Sequence, residues 1–310
     1  MLASPAHQMR QTTAFIDLHQ DMLSGVARLD GGFPAYGSNY LVGSSRAAAI
    51  FSSLYPTAPD SDLLGQLDAH GELLGEHGSA LRLVTTAADL EAEDSRTGVL
   101  PHSEGFQLPG VEPDTLHRLW SEHSLRSLAL TWNYETEYGF SCYDDAAAPL
   151  KPTGRRLVRE LERSPLLLDL AHLNEGGFHD SLDIYAPPVL VTHTFARAIG
   201  EHPRGLSDGQ LRALGEHGGL IGLAFDPDFL GRGSIDEALR HLDRIAETAG
   251  ENSVSIGSDW GVARMGELAD PNSLVGLLAA VEDIYGAGLA EKFAYANAYE
   301  FLSAQLPVSE

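Results

Sequence analysis

Cysteine is almost missing from this sequence: Cys142 stands alone among 310 residues. A single thiol excludes an intramolecular disulfide, and any metal held by the chain must take nitrogen and oxygen ligands. Positive charge is scarce as well. Lys and Arg number 20 against 44 Asp and Glu, a formal net charge of −24. Phosphate recognition needs a basic face, so this balance argues against a nucleic-acid partner. The acidic surface speaks to solubility rather than to fold. Long apolar runs are lacking too, and no window approaches the roughly 18 residues of a membrane span. The opening MLASPAHQMRQTT has no basic stretch followed by an apolar one, so no signal peptide is expected. Low-complexity tracts, internal repeats and linker-like segments are also missing. The expectation is a cytoplasmic protein, one domain over 1–310, with neither a nucleic acid nor a membrane as partner.

What is present is a set of short apolar runs separated by helical patterns. The hydrophobic fraction of 43% is enough for a sizeable core. The runs are AFIDLH (14–19), AAAIFSSLY (47–55), GVLPHSEG (98–105), LRSLALTWN (125–133), PLLLDLAH (165–172), PVLVTHT (188–194), GLIGLAF (219–225) and SVSIGSDW (253–260). Several are continuously apolar, as parallel strands buried on both faces should be. Between them, SIDEALRHLDRIAETAG carries Leu239, Leu242, Ile245 and Ala249 on one stripe. Ser234 and Glu237 are spaced as a capping box, and Gly250 can end the helix. LSDGQLRALGEHGG repeats that logic with Ser207, Gln210, Leu211 and Leu214, and 154–163 presents Leu157 and Leu161 at helical spacing. Eight strand–helix alternations predict an α/β fold, a (β/α)8 TIM barrel. Residues 56–97 hold more helix and loop than one crossover needs. The 134–152 loop is long for a βα connection and reads either as a substrate wall or lid, or as a surface insertion.

The polar residues sit at the strand ends. In AFIDLHQDML, the two-residue period puts Asp17, His19 and Asp21 on one face, with Phe15 behind them. Three polar groups facing one way are costly in a core unless something pairs with them. A bound cation is one answer and a solvated strand edge is the other. The third run ends in Glu104, the fifth in His172, the sixth in His193 and the eighth in Asp259. In a barrel the C-terminal strand ends share one rim, so these imidazoles and carboxylates would converge there. Such a set can hold two divalent ions. Nitrogen and oxygen ligands suit Zn²⁺, with Mn²⁺, Co²⁺ or Fe²⁺ as alternatives.

The chain also resembles a known family. His19-Gln20-Asp21, SEG with Glu104, LTWN (130–133), DLAH (169–172), THT (192–194), PRGLSD (203–208) and GSDWG (257–261) follow the motif order of the renal or membrane dipeptidases. These are M19-type peptidases within the amidohydrolase superfamily. The resemblance implies a metallodipeptidase with two divalent ions, zinc foremost, acting on a small dipeptide-like substrate, and a homodimer is plausible from it. It implies that His19 and Asp21 hold one ion, that His172 and His193 hold the other, and that Glu104 bridges them. Asp259 would be the proton shuttle and a contact for the substrate amine, and Arg204 would pair with the substrate carboxylate.

Some positions depart from the family pattern. Trp132 stands where many members have His, and reads better as a pocket wall. Asp226 stands where animal members have a Tyr near the substrate carboxylate, and an acid there would repel that group. Gly205 replaces a usual Asn, and GSDWG lacks a second Asp. His102 reads as a core or supporting residue, and Cys142 as a loop or packing residue. These departures keep open another amidohydrolase activity, on a lactam, an N-acyl amino acid or a phosphoester. A catalytically silent metal- or peptide-binding barrel is a further alternative.

Overall fold

A computed structural model describes residues 14–21, 47–54, 62–92, 94–261 and 266–308 of the chain. The first thirteen residues, which carry the expectation of no signal peptide, and Tyr55 of the second run lie outside that set. The strands are β1 (Phe15–Gln20), β2 (Ala47–Leu54), β3 (Leu81–Leu83), β4 (Thr97–Ser103), β5 (Ser127–Ala129), β6 (Leu167–Asp169), β7 (Leu190–Thr194), β8 (Leu220–Leu223) and β9 (Val254–Ile256). The helices are α1 (Leu63–Glu76), α2 (Ala87–Leu90), α3 (Pro113–Ser121), α4 (Pro152–Leu161), α5 (Glu175–Ile184), α6 (Asp208–Glu216), α7 (Pro227–Leu230), α8 (Ile235–Ala249), α9 (Leu274–Tyr285), α10 (Ala287–Glu291) and α11 (Asn297–Gln305).

The pairing runs β2-β1-β9-β8-β7-β6-β5-β4, all parallel, and β2 also pairs β4, which closes the ring. Eight strands in one closed parallel ring with helices outside make the (β/α)8 barrel that the alternation predicts. All eight predicted runs contribute a ring strand. β3 is a ninth strand that the periodicity did not reveal. It pairs β4 at Leu81↔Thr97 to Leu83↔Val99, upstream of the point where β5 joins at His102↔Ser127. Three residues are too few for a period to register, and this short strand accounts for part of the surplus in 56–97.

Local signals hold where they are strongest. Ser207 caps α6 and Ser234 caps α8, each completing a capping box with Gln210 or Glu237. The buried faces of α8, through Leu239, Leu242 and Ile245, belong to the apolar layer between strands and helices. The ring strands also bury polar side chains: Asp17, His19, Ser52, His102, Ser127, Asp169, Thr192 and Ser255 are all fully buried. Two glycines let the strands close there. A Cβ on Gly222 or Gly257 would fall 1.9 or 2.0 Å from the Thr192 carbonyl oxygen.

The 134–152 loop is packed against the barrel. Tyr138 is buried in the core, the Cys142 amide donates to the His172 carbonyl at 2.7 Å, and Asn174 Nδ2 donates to the carbonyls of Asp145 and Ala148. This favours the wall over the surface insertion.

Candidate metal centre

The residues of the predicted cluster arrive on five different ring elements. His19 lies near the end of β1 and Asp21 just beyond it. Glu104 follows β4, His172 follows β6, His193 is in β7, and Asp259 follows β9. All are buried, with Asp21 at 9% and Asp259 at 6% the most open. Residues spread from position 19 to position 259 thus meet because a parallel barrel puts every strand's C-terminal end on one rim.

Glu104 stands at the centre of the cluster. Its Oε1 lies 2.6 Å from His172 Nε2 and 3.3 Å from His193 Nε2, and those two nitrogens are 3.1 Å apart. Its Oε2 lies 3.8 Å from His19 Nε2 and accepts from the Ser53 hydroxyl at 3.1 Å. His19 Nε2 is also 3.6 Å from Asp21 Oδ1 and 3.7 Å from Asp259 Oδ1. Glu104 thus faces His172 and His193 through one oxygen and His19, with Asp21 and Asp259 beyond it, through the other, while the His19 ring lies against His193 with centroids 3.7 Å apart.

The hydrogen bonds behind the rings show what they present. His172 Nδ1 meets Asn133 Oδ1 at 3.0 Å, which leaves its Nε2 lone pair toward Glu104. His193 Nδ1 meets Thr192 Oγ1 at 3.1 Å, and that hydroxyl in turn donates to Asp169 Oδ2 at 2.6 Å. Two imidazole lone pairs and a carboxylate oxygen then converge within 2.6–3.3 Å. Such a set repels itself unless a cation lies among the three. Tetrahedral zinc with ligands at about 2.0–2.1 Å separates its ligand atoms by about 3.3 Å, which the 3.1 and 3.3 Å separations approach and the 2.6 Å contact of Glu104 with His172 undercuts. Among the described residues both buried ring nitrogens of His19 have no hydrogen-bond partner, which also asks for a cation. The donor set thus fits two divalent ions held by nitrogen and oxygen.

The electrostatics tell the same story. Burial alone would push the His19 pKa down, but Glu104, Asp21 and Asp259 outweigh it and raise it to about 10. Surrounded by carboxylates, the ring itself supplies the missing positive charge. Burial, with Arg204 beside it, takes His172 down to about 4. Burial, then His19 and Arg204, hold His193 well below its ordinary value. Burial is also the main cause that lifts Asp259 to about 8, with Asp21 and Glu104 adding to it against His19 and Arg204. A carboxyl poised near neutrality can both take and give a proton.

His172 and Asp259 both adopt left-handed backbone, at φ 64 and 63. For a residue with a Cβ this costs about 1–3 kcal/mol and persists where the surroundings hold it. The His172 carbonyl is held by the Cys142 amide, and the Asp259 amide donates to the His19 carbonyl at 3.1 Å. Asp17, grouped with His19 and Asp21 by period, does something different. It accepts from the His19 and Ser258 amides at 3.2 and 2.8 Å, from Gln20 Nε2 at 2.7 Å and from Ser258 Oγ at 2.5 Å. It clasps β1 to the segment after β9.

The remaining predicted residues lie around the rim. Arg204 is buried, donates from Nη2 to the His193 carbonyl at 3.0 Å, and rests over the Phe229 ring at 5.6 Å. Its Nε is buried and has no hydrogen-bond partner among the described residues. Trp132 is half-buried, 5.7 Å from Tyr134 and 6.5 Å from the His172 ring. Asp226 is not drawn into the cluster. Its Oδ1 accepts from the Asp228 amide at 2.8 Å and caps α7. Burial raises its pKa, with Arg204 pulling the other way.

Several supporting residues had no role in the sequence reading. Ser53, Asn133, Asp169 and Thr192 each hold a cluster residue or its neighbour. Asp169 and Thr192 stand inside DLAH and THT, yet only three-dimensional contact gives them a purpose. His102 matches its supporting role, with Nδ1 2.8 Å from Ser127 Oγ and Nε2 3.2 Å from Asp169 Oδ2. Burial would raise Asp169, but His102, Thr192 and the Ala171 amide hold it below its ordinary value.

Known proteins resemble this arrangement. The model of the membrane dipeptidase family, peptidase family M19, matches residues 44–304. An uncharacterized Klebsiella pneumoniae protein encoded in the pqqA 5' region is 31% identical over 239 residues, covering 72% of this chain and 88% of that protein. Further curated relatives are longer, and the matched stretch spans 40 to 62% of them. A Rhodobacter sphaeroides metallopeptidase, solved with a phosphinate mimic of the dipeptide L-Ala-D-Ala, superposes with a TM-score of 0.79 at 27% identity, over 93% of this chain and 98% of that one. An M19 metallopeptidase described as dipeptidase AC superposes at 0.80 and 28% identity, over 94% and 98%.

Proposed function

The chain belongs to the membrane dipeptidase family, peptidase family M19, and is a metal-dependent hydrolase; from that premise we propose that it hydrolyses the amide bond of a dipeptide or dipeptide-like molecule with a pair of divalent ions, zinc foremost. In this reading His19 and Asp21 hold one ion, His172 and His193 hold the other, and Glu104 offers one oxygen to each side. The observation that carries it is that division of Glu104, with Oε1 against His172 and His193 and Oε2 toward His19. When bound, the ions acidify water and polarise a carbonyl.

The chain's own residues supply the rest. Asp259 Oδ1, beside His19, takes the proton of the attacking water and returns it to the leaving amine. Arg204 presents its Nε, which has no partner among the described residues, to the substrate carboxylate, a charge-assisted contact that sets the distance of the scissile bond from the cluster. The Phe229 ring under the guanidinium keeps it from turning away. Trp132 forms a wall on the His172 side. Asp226, with one oxygen committed to its helix cap, borders the carboxylate end and disfavours a second negative charge there. A dipeptide-like substrate is also what the Rhodobacter sphaeroides relative was solved with, as a phosphinate mimic.

The test is hydrolysis by zinc-loaded protein of a panel of L-L and L-D dipeptides beside lactams, N-acyl amino acids and phosphoesters. Turnover of dipeptides is the expected result. Turnover of only the other classes would overturn the reading.

A further inference from the structure

His193 is tied differently from the other imidazoles of the cluster, and its tie runs through a residue with no assigned role. Thr192 has a single hydroxyl proton. Its Oγ1 lies 2.6 Å from Asp169 Oδ2, while Asp169 Oδ1 is already filled by the amides of Ala171 and Thr192 at 2.9 and 3.0 Å. His102 Nε2 lies 3.2 Å from Asp169 Oδ2 on its other side. The carboxylate is thus ringed by donors, and the Thr192 proton points to it. That leaves only lone pairs on Oγ1 facing His193 Nδ1 at 3.1 Å, so this nitrogen must carry the proton. Thr192, Asp169 and His102 are all fully buried, so water does not compete for these bonds. His172 has its own partner, but Asn133 is an exposed amide, and His19 has no hydrogen bond at either nitrogen among the described residues.

We propose that Thr192 is the positioning residue of the His172–His193 half of the centre: its hydroxyl, anchored by Asp169, fixes His193 as the Nδ1–H tautomer and keeps the Nε2 lone pair aimed at the ion position beside Glu104. This rests on the reading of His193 as a metal ligand. Supporting partners of this kind change metal affinity by about 10–100-fold.

Two measurements test it, and neither uses a substrate. In a ¹⁵N–¹H imidazole correlation spectrum of the metal-free protein, His193 should show a protonated Nδ1. A protonated Nε2 there overturns the proposal without any variant. In zinc competition titrations, Thr192→Val, which keeps the shape and deletes the hydroxyl, should bind its tighter zinc about 10–100-fold more weakly. Thr192→Ser, which restores the hydroxyl, should regain wild-type affinity. Unchanged affinity in Thr192→Val overturns the proposal, as does a Thr192→Ser variant as weak as Thr192→Val, since packing rather than the hydroxyl would then matter. A protein that binds zinc in this way but cleaves no dipeptide would sink the functional reading and leave this one standing.

Discussion

The two sides of the metal centre are built by different means. On the β6–β7 side, His172 and His193 each have a hydrogen-bonded Nδ1, and their Nε2 atoms stand 3.1 Å apart. On the β1–β9 side, the His19 ring has three carboxylates at 3.6–3.8 Å and, among the described residues, no hydrogen bond on either nitrogen. There the backbone is fastened instead, through Asp17 and Ser258 beneath the site. One side holds its ligands ready before anything binds. The other concentrates negative charge and relies on a cation to organise it. Preorganised ligands lose less on binding, so the first side should take its ion first.

The sharpest way to probe this contrast is Asp259→Asn, which touches only the charged side. Turnover of a dipeptide should fall about 10²–10⁴-fold while zinc content stays at the wild-type level. Retained turnover would remove Asp259 from proton transfer. Next comes a pair of ligand deletions compared by zinc titration. His19→Ala should keep the tighter ion, whereas His193→Ala should keep only the weaker one, a difference of at least about tenfold in affinity. Equal residual affinities would erase the distinction between the sides.

The clasp beneath the charged side is probed by Asp17→Asn. This swaps one acceptor oxygen for a donor among groups that already donate, and should cost about 1–3 kcal/mol in denaturant unfolding. No loss of stability would mean that the four bonds to Asp17 do not fasten β1. The smallest effect comes from mild acid acting away from the centre. Burial pushes His70, against Ser52 on the β1–β2 side, and His241, against the Ala196 amide near Arg204, down to about 4. Both are neutral when folded, while unfolded they take protons near pH 6.5. The unfolded chain therefore binds more protons across that window, and stability falls as pH drops through it. Going from pH 7 to 6 should cost about 0.7 kcal/mol for each histidine. His70→Gln or His241→Gln should flatten the dependence of Tm on pH there, and an unchanged slope in both would rule the account out.

Much of this molecule could be read before any fold was known. The alternation of apolar runs with capped, striped helices implied a closed parallel barrel, because a strand buried on both faces and a helix with one wet face leave little other way to pack. The polar residues at the strand ends then implied one shared rim. Local signals led to His19, Asp21, Glu104, His172, His193 and Asp259, since each breaks an apolar pattern at the same place in its unit. What the sequence could not carry was contact between distant residues. Asp17 and Asp21 look alike on β1, and only the approach of Ser258 makes the first a clasp. Asp226 reads from the sequence only as an acid near the substrate, and the fold adds that one of its oxygens caps the short helix after it. Thr192 is an ordinary strand threonine until Asp169 comes within 2.6 Å of it. Periodicity reports which face a side chain takes, which is a property of the local chain. Which atom waits on that face depends on how the strands register around the ring, and that is decided only when the barrel closes.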